Sequence, residues 1–145
     1  LLCSVARGKF CGTRTSIDFR SIRAVAEETI LLVDDSRFAR QAARNLVAKA
    51  RPGAVFVEAA DGEAAIAAVA AQVPDLVLMD LNMPGRDGLE TAAELRKTNP
   101  GLAICLVTAN IQDAVRERAH ALGIAFLGKP MTPEGFANMM AGLGK

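Results

Sequence analysis

Thr29-Ile30-Leu31-Leu32-Val33-Asp34-Asp35-Ser36 is the stretch that decides the fold. Ile30 to Val33 offers apolar side chains to both faces of an extended chain, as a strand sandwiched between two helical layers must. Two carboxylates and a serine then end it abruptly. The pattern recurs downstream. Strands are expected at Thr29–Val33, Ala54–Glu58, Asp75–Met79, Leu102–Thr108 and Ile124–Leu127, and the first, third and fourth are apolar on both faces.

Helical stretches fill the intervals. Ser36–Ala50 places Phe38, Ala42, Ala43, Leu46 and Val47 along one stripe. Gly62–Gln72 follows a capping Asp61 and carries Ile66, Val69 and Val73. A third helix over Asp87–Lys97 stops before Asn99-Pro100-Gly101. A fourth, Asn110–Leu122, turns Ile111, Val115, Ala119 and Leu122 inward and stops at Gly123. The fifth opens with Thr132 as cap and Pro133 at its first position, and spaces Phe136, Met139, Met140 and Leu143 along one face. That spacing makes the methionines core packing. Alternation of strand and helix with short connections implies a parallel sheet with right-handed crossovers and helices on both faces.

The 145 residues fit one domain. Residues 1–28 carry Arg7, Lys9, Arg14, Arg20 and Arg23 against Asp18, Glu27 and Glu28, with no sustained periodicity before Ser21. They are expected to be a poorly ordered leader or extension, with a short helix over Ser21–Glu28, and residues 29–145 the domain proper. A net charge of +1 gives no electrostatic footprint for nucleic acid, and no apolar run approaches the roughly 20 residues that cross a bilayer. Three cysteines cannot all pair, and Cys105 lies in an apolar run, which points to a reducing cytoplasm. Cys3 and Cys11 have no neighbouring His or third Cys to complete a metal site.

In such sheets ligands bind at the carboxyl ends of the strands. Here those ends carry Asp34 and Asp35, Asp80, Thr108, and, past a glycine, Lys129-Pro130. Three carboxylates on one rim repel and call for a cation. Oxygen donors without His or Cys suit a hard ion, and Mg²⁺ is the one that accompanies phosphate. A lysine and a hydroxyl facing such a cluster can hold the oxygens of a transferring phosphoryl group. The chemistry implied is attack of a carboxylate on phosphorus, giving an acyl phosphate.

From Thr29 to Leu143 the sequence resembles the receiver domain of two-component response regulators, and among these the free-standing, chemotaxis-type ones. The likeness rests on Leu31-Leu32-Val33-Asp34-Asp35-Ser36, Asp80-Leu81-Asn82-Met83-Pro84-Gly85 with Asp87-Gly88, Val107-Thr108-Ala109 and Gly128-Lys129-Pro130. It implies a flavodoxin-like, doubly wound α/β fold with five helices and a five-stranded parallel sheet in the order 2-1-3-4-5. It implies that Asp80 is the phosphoacceptor. Asp35, Asp80 and the backbone carbonyl of Asn82 would ligate Mg²⁺, with Asp34 acting through water. Thr108 and Lys129 would hold phosphoryl oxygens, and the Lys129–Pro130 peptide would be cis. Phe126 takes a switch position where many members carry Tyr. Asn82 and Asn110 occupy positions that tune phosphoryl lifetime.

The expected partners are a sensor histidine kinase as phosphodonor, a downstream protein such as the flagellar motor switch, and a phosphatase, with no nucleic acid and no membrane. Output would pass through the surface of the fourth helix, fifth strand and fifth helix. The fifth helix ends two residues before the chain does, so output by protein contact is expected unless the chain is a fragment of a larger regulator or hybrid kinase. Arg37, Arg40 and Arg44 line the first helix as a solvated face or a kinase-docking surface, and His120 is a solvated helix residue. A haloacid-dehalogenase-type phosphatase would need a second acid where Asn82 stands, and no glycine-rich nucleotide loop follows the first strand. A receiver that is never phosphorylated is disfavoured because every rim position holds a competent residue.

Overall fold

The computed structural model describes residues 28–109 and 112–143. In order these form β1 (Thr29–Val33), α1 (Arg37–Ala50), β2 (Val55–Ala59), α2 (Gly62–Ala71), β3 (Leu76–Asp80), α3 (Gly88–Thr98), β4 (Ala103–Thr108), α4 (Asp113–Ala121), β5 (Ala125–Gly128) and α5 (Pro133–Leu143). The five strands make one sheet, β2-β1-β3-β4-β5, with every neighbouring pair parallel. The parallel sheet is the one that the alternating pattern predicts, and its order is the flavodoxin-like one that the family resemblance implies.

Successive residues of a strand face opposite sides, and the core divides accordingly. Leu31, Val33, Val77, Met79, Ile104 and Leu106 pack with Val69 of α2, Leu95 of α3 and Ala119 of α4. Ile30, Leu32, Leu76, Leu78, Cys105 and Val107 pack with Val47 of α1 and with Phe136 and Met139 of α5. Burying Phe136 alone contributes on the order of 1.5–3 kcal/mol. Met139 and Met140 belong to this second core.

Helix starts are set by side-chain caps. Ser36, Asp61 and Asp87 accept from the backbone N–H of Ala39, Ala64 and Glu90, and Thr132 Oγ accepts from Gly135 N–H. Gly123, at φ +70°, closes α4 in the left-handed conformation that side chains disfavour. Arg96 of α3 fastens this end of the molecule. Its Nη1 donates to the Pro100 carbonyl and its Nη2 to the Gly123 carbonyl, each at 2.7 Å.

Several expectations need correction. Phe38 is 85% exposed and Ala42 is exposed. The sheet-facing line of α1 runs through Ala43, Leu46 and Val47, and Phe38 lies off it. Val73 is 55% exposed because α2 ends at Ala71 and the chain turns extended at Gln72. Leu122 is 37% exposed at the α4 cap, where the helical period no longer aims it inward. The second, third and fifth strands sit one residue later than expected, and the fourth begins one later. Asp75 precedes β3 instead of joining it: its carboxylate accepts from Thr29 N–H at 2.7 Å, while its own N–H donates to the Thr29 carbonyl at 2.8 Å. Glu28, assigned to the leader, is tied to the domain through its carbonyl, which accepts from Val55 N–H, and its carboxylate, 3.5 Å from Arg51. The described part of α4 starts at Asp113, later than Asn110. Cys3, Cys11, the helix proposed from Ser21, Asn110, Ile111 and the side chain of Leu143 lie outside the described residues.

Candidate functional site

Because the strands are parallel, their carboxyl ends share one rim. Val33 pairs with Met79, so Asp34, the next residue, emerges beside Asp80, the last of β3. Asp80 pairs with Val107, and Thr108 with Gly128, which brings Thr108 and Lys129 to the same edge. Carboxylate oxygens of Asp34, Asp35 and Asp80 all lie within 4.8 Å of one another. Lys129 Nζ stands 3.0 Å from Asp80 Oδ1 and 3.4 Å from Asp34 Oδ2. Its backbone N–H donates to the Thr108 carbonyl at 2.9 Å, and the Lys129–Pro130 peptide is cis. Asp34, Asp80 and Thr108 are buried, whereas Asp35 is exposed at the mouth.

Asn82 is exposed in the turn after Asp80. That turn is drawn tight by Leu81, whose N–H donates to Val107 and whose carbonyl accepts from Gly88 N–H. Phe126 on β5 is partly buried against the core under α2, α3 and α4. It pairs with Leu106, and Thr108, two residues on, lies on the same side of the sheet. Thr108 and Phe126 thus share the face that α4 covers. His120 is exposed on α4, as expected.

The electrostatics follow from burial and charge. Burial raises the Asp34 carboxyl above its ordinary value and the Asp80 charge adds to that, while the Ser36 N–H bond and Lys129 pull the other way. For Lys129, burial works to lower the ammonium, but the hydrogen bond to Asp80 and the charges of Asp34 and Asp80 outweigh it, so its pKa is raised. Cys105, enclosed in the core, has its thiol pushed up to about 12 by burial, which removes it from thiolate chemistry.

Three carboxylates against one ammonium leave surplus negative charge among hard oxygen donors. That donor set fits Mg²⁺, and Asp34, Asp35 and Asp80 are the groups that could hold it.

Two parts of the site escape sequence reasoning. Arg40 of α1 donates to the Asp34 carbonyl at 2.5 Å and to Glu58 Oε1 at 2.8 Å, and the hydrogen bond from Arg40, helped by Arg44, holds the Glu58 carboxyl below its ordinary value despite the opposing effect of burial. Only the register that sets Glu58 across from Leu32 reveals that pairing. The other is an apolar groove of about 490 Å³ between α1 and the Lys129-Pro130-Met131 segment, lined by Phe38, Ala42 and Leu46 and reaching Asp34. Its signal in the sequence is the line Phe38, Ala42, Leu46, part of the stripe that predicts a core face.

Comparison with known proteins agrees with this geometry. The family model of the response regulator receiver domain matches residues 30–141. The nitrate/nitrite response regulator protein NarL of Escherichia coli K12 is 37% identical over 107 residues, 73% of this chain and 50% of that protein. The probable transcriptional regulatory protein TcrX of Mycobacterium tuberculosis is 37% identical over 109 residues, 73% of this chain and 45% of that protein. The chain therefore spans about half the length of these relatives. Among solved structures, the chemotaxis protein CheY4 of Vibrio cholerae superposes with a TM-score of 0.73 at 27% identity, over 81% of this chain and 99% of that one. Sequence, sheet order and neighbours agree that this chain belongs to the response regulator receiver family.

Proposed function

We propose that this receiver domain accepts a phosphoryl group on Asp80 from the phosphohistidine of a sensor histidine kinase, in a Mg²⁺-dependent reaction, and signals through the surface of α4, β5 and α5. The observation that carries the reading is Lys129 Nζ, 3.0 Å from Asp80 Oδ1 beside two further carboxylates.

An Asp80 oxygen attacks phosphorus as the P–N bond to the donor imidazole breaks. The electron pair returns to that nitrogen, which takes up a proton, and Asp80 becomes an acyl phosphate. Asp35, Asp80 and the Asn82 carbonyl, with Asp34 acting through water, would hold Mg²⁺, which would supply positive charge against the phosphoryl oxygens. Lys129, 3.0 Å from Asp80 Oδ1, adds a second positive charge, and the Thr108 hydroxyl donates to a phosphoryl oxygen. Phe126, on the same side of the sheet as Thr108, relays that movement to α4 and β5. A cytoplasmic setting goes with this chemistry.

Incubation with phosphoramidate and Mg²⁺ tests the reading: intact mass should rise by one phosphoryl group, located on Asp80 and lost in Asp80→Asn. Phosphate found on Ser36, Thr108 or His120 of the wild type would overturn it.

The half-length match to TcrX, whose name denotes transcriptional regulation, favours a second reading of the output, in which this receiver serves a longer regulator of transcription. The chemistry at Asp80 is the same in both.

A further inference from the structure

We propose that Arg40 is a positioning residue for the acidic cluster, holding from α1 the turn that carries Asp34 and Asp35, and that Glu58 on β2 aims it. The inference rests on the reading of the cluster given above and adds to it a residue outside the rim.

Asp34 is held at every polar atom. Its N–H donates to the Ala59 carbonyl at 3.2 Å, its Oδ1 accepts from Ser36 N–H at 2.8 Å, and its Oδ2 faces Lys129 at 3.4 Å. Its carbonyl accepts from Arg40 Nη1 at 2.5 Å. That last bond fixes the peptide between Asp34 and Asp35, and the rotation of that peptide decides where the exposed Asp35 carboxylate points. Arg40 in turn has little freedom. Its side chain is 14% exposed and its Nε donates to Glu58 Oε1 at 2.8 Å, while Arg44 Nη1 takes Glu58 Oε2 at 3.2 Å. The guanidinium of Arg44 lies 5.5 Å from the centre of the Phe56 ring, which anchors the outer half of the clasp. A planar guanidinium serves a carbonyl and a carboxylate at once in fixed directions; an ammonium on its flexible stem lacks that rigid fork.

Charge and position predict opposite signs. Arg40 is a cation near a cation site, so if it acted only through charge, its removal would tighten Mg²⁺ binding. If it positions the turn, removal weakens binding, because groups that orient metal ligands are typically worth about tenfold or more in affinity.

The experiment is a Mg²⁺ titration of the whole chain followed by calorimetry, with hydrogen exchange of the Ser36 amide in metal-free protein as a second readout. Arg40→Met should bind Mg²⁺ about tenfold more weakly and exchange Ser36 faster. Arg44→Met, which removes equal charge without touching Asp34, should stay within about twofold of wild type. Arg40→Lys keeps the charge and should still lose several-fold; it also decides the matter if Arg40→Met fails to fold. Wild-type affinity or tighter in Arg40→Met, or unchanged affinity in Arg40→Lys, would overturn the proposal. A wild-type protein that binds no Mg²⁺ would overturn the reading of the cluster instead, and the Ser36 exchange rates would then decide whether Arg40 holds the turn.

Discussion

Gly88 packs its α-carbon directly against the backbone carbonyl of Asp80, so that a β-carbon there would collide with that carbonyl and with the Leu81 α-carbon. The first residue of α3 thereby sets the position of the β3 end. Gly88→Ala should cost about 1–3 kcal/mol in urea unfolding and slow phosphorylation of Asp80 by phosphoramidate. Gly142→Ala, with nothing within 4 Å of the added carbon and a helical location, should be neutral or stabilising by roughly 0.4–1 kcal/mol.

Asp35→Asn separates repulsion from ligation. Removing one of three clustered carboxylates relieves like-charge repulsion, so the metal-free protein should melt at higher temperature. Mg²⁺ affinity should fall by about tenfold or more. Thermal melts with and without Mg²⁺ check both signs.

Titration should reveal the burial of Asp34. Its pKa is raised in the folded state above the ordinary 3.8, so the folded protein holds that proton to higher pH than the unfolded chain. The resulting stability is fully present below 3.8 and is lost as pH climbs through the raised value. In metal-free protein, Asp34→Asn should therefore gain on wild type over that window. Lys129, also raised, contributes stability that is fully present below its ordinary 10.5 and is lost as pH rises from there through its folded value. Lys129→Met should accordingly be less stable than wild type at neutral pH and approach it in strong alkali. Urea melts as a function of pH measure both differences.

Thr108→Ala should accept phosphate and fail to transmit it. A phosphoryl group on Asp80 offers the Thr108 hydroxyl a charge-assisted hydrogen bond, and Phe126 responds on the face they share. Amide shifts between residues 112 and 127 on adding a phosphoryl mimic should be large in wild type and small in Thr108→Ala. Shifts confined to residues 34–36 and 80–84 in wild type would contradict this relay.

Two phenylalanines should behave oppositely. Phe136 is 1% exposed and Phe38 is 85% exposed. Phe136→Ala should cost about 3–5 kcal/mol, whereas Phe38→Ser should stay within about 0.5 kcal/mol. Denaturant midpoints give both values.

Phe38 also marks where sequence reading stops. Strand positions and rim residues were legible because a strand buried on both faces leaves its polar punctuation in plain view: Asp34, Asp80, Thr108 and Lys129 all interrupt apolar runs. Helical stripes are weaker guides at their ends. Phe38, Val73 and Leu122 each lie in the first or last turn or just beyond it, where backbone direction changes while the extrapolated period does not. The Arg40–Glu58 clasp was out of reach because it joins two residues 18 apart through a register that no local pattern encodes. Gly88 belongs to the Asp87-Gly88 motif, but its steric reason appears only when α3 is docked on β3.

The two-sided sheet makes the domain a partition. Phe126 and Ala119 lie in the compartment under α2, α3 and α4, while Val47, Phe136 and the groove beside Phe38 belong to the compartment under α1 and α5. The compartments meet at the rim, where Asp80 and Lys129 sit. Residues more than about 7–10 Å apart with no shared partner contribute additively, so substitutions on the helices of one side should add to those on the helices of the other. A lineage can therefore rewrite the side around Phe38 or the side around Phe126 separately, so long as the shared rim stays intact.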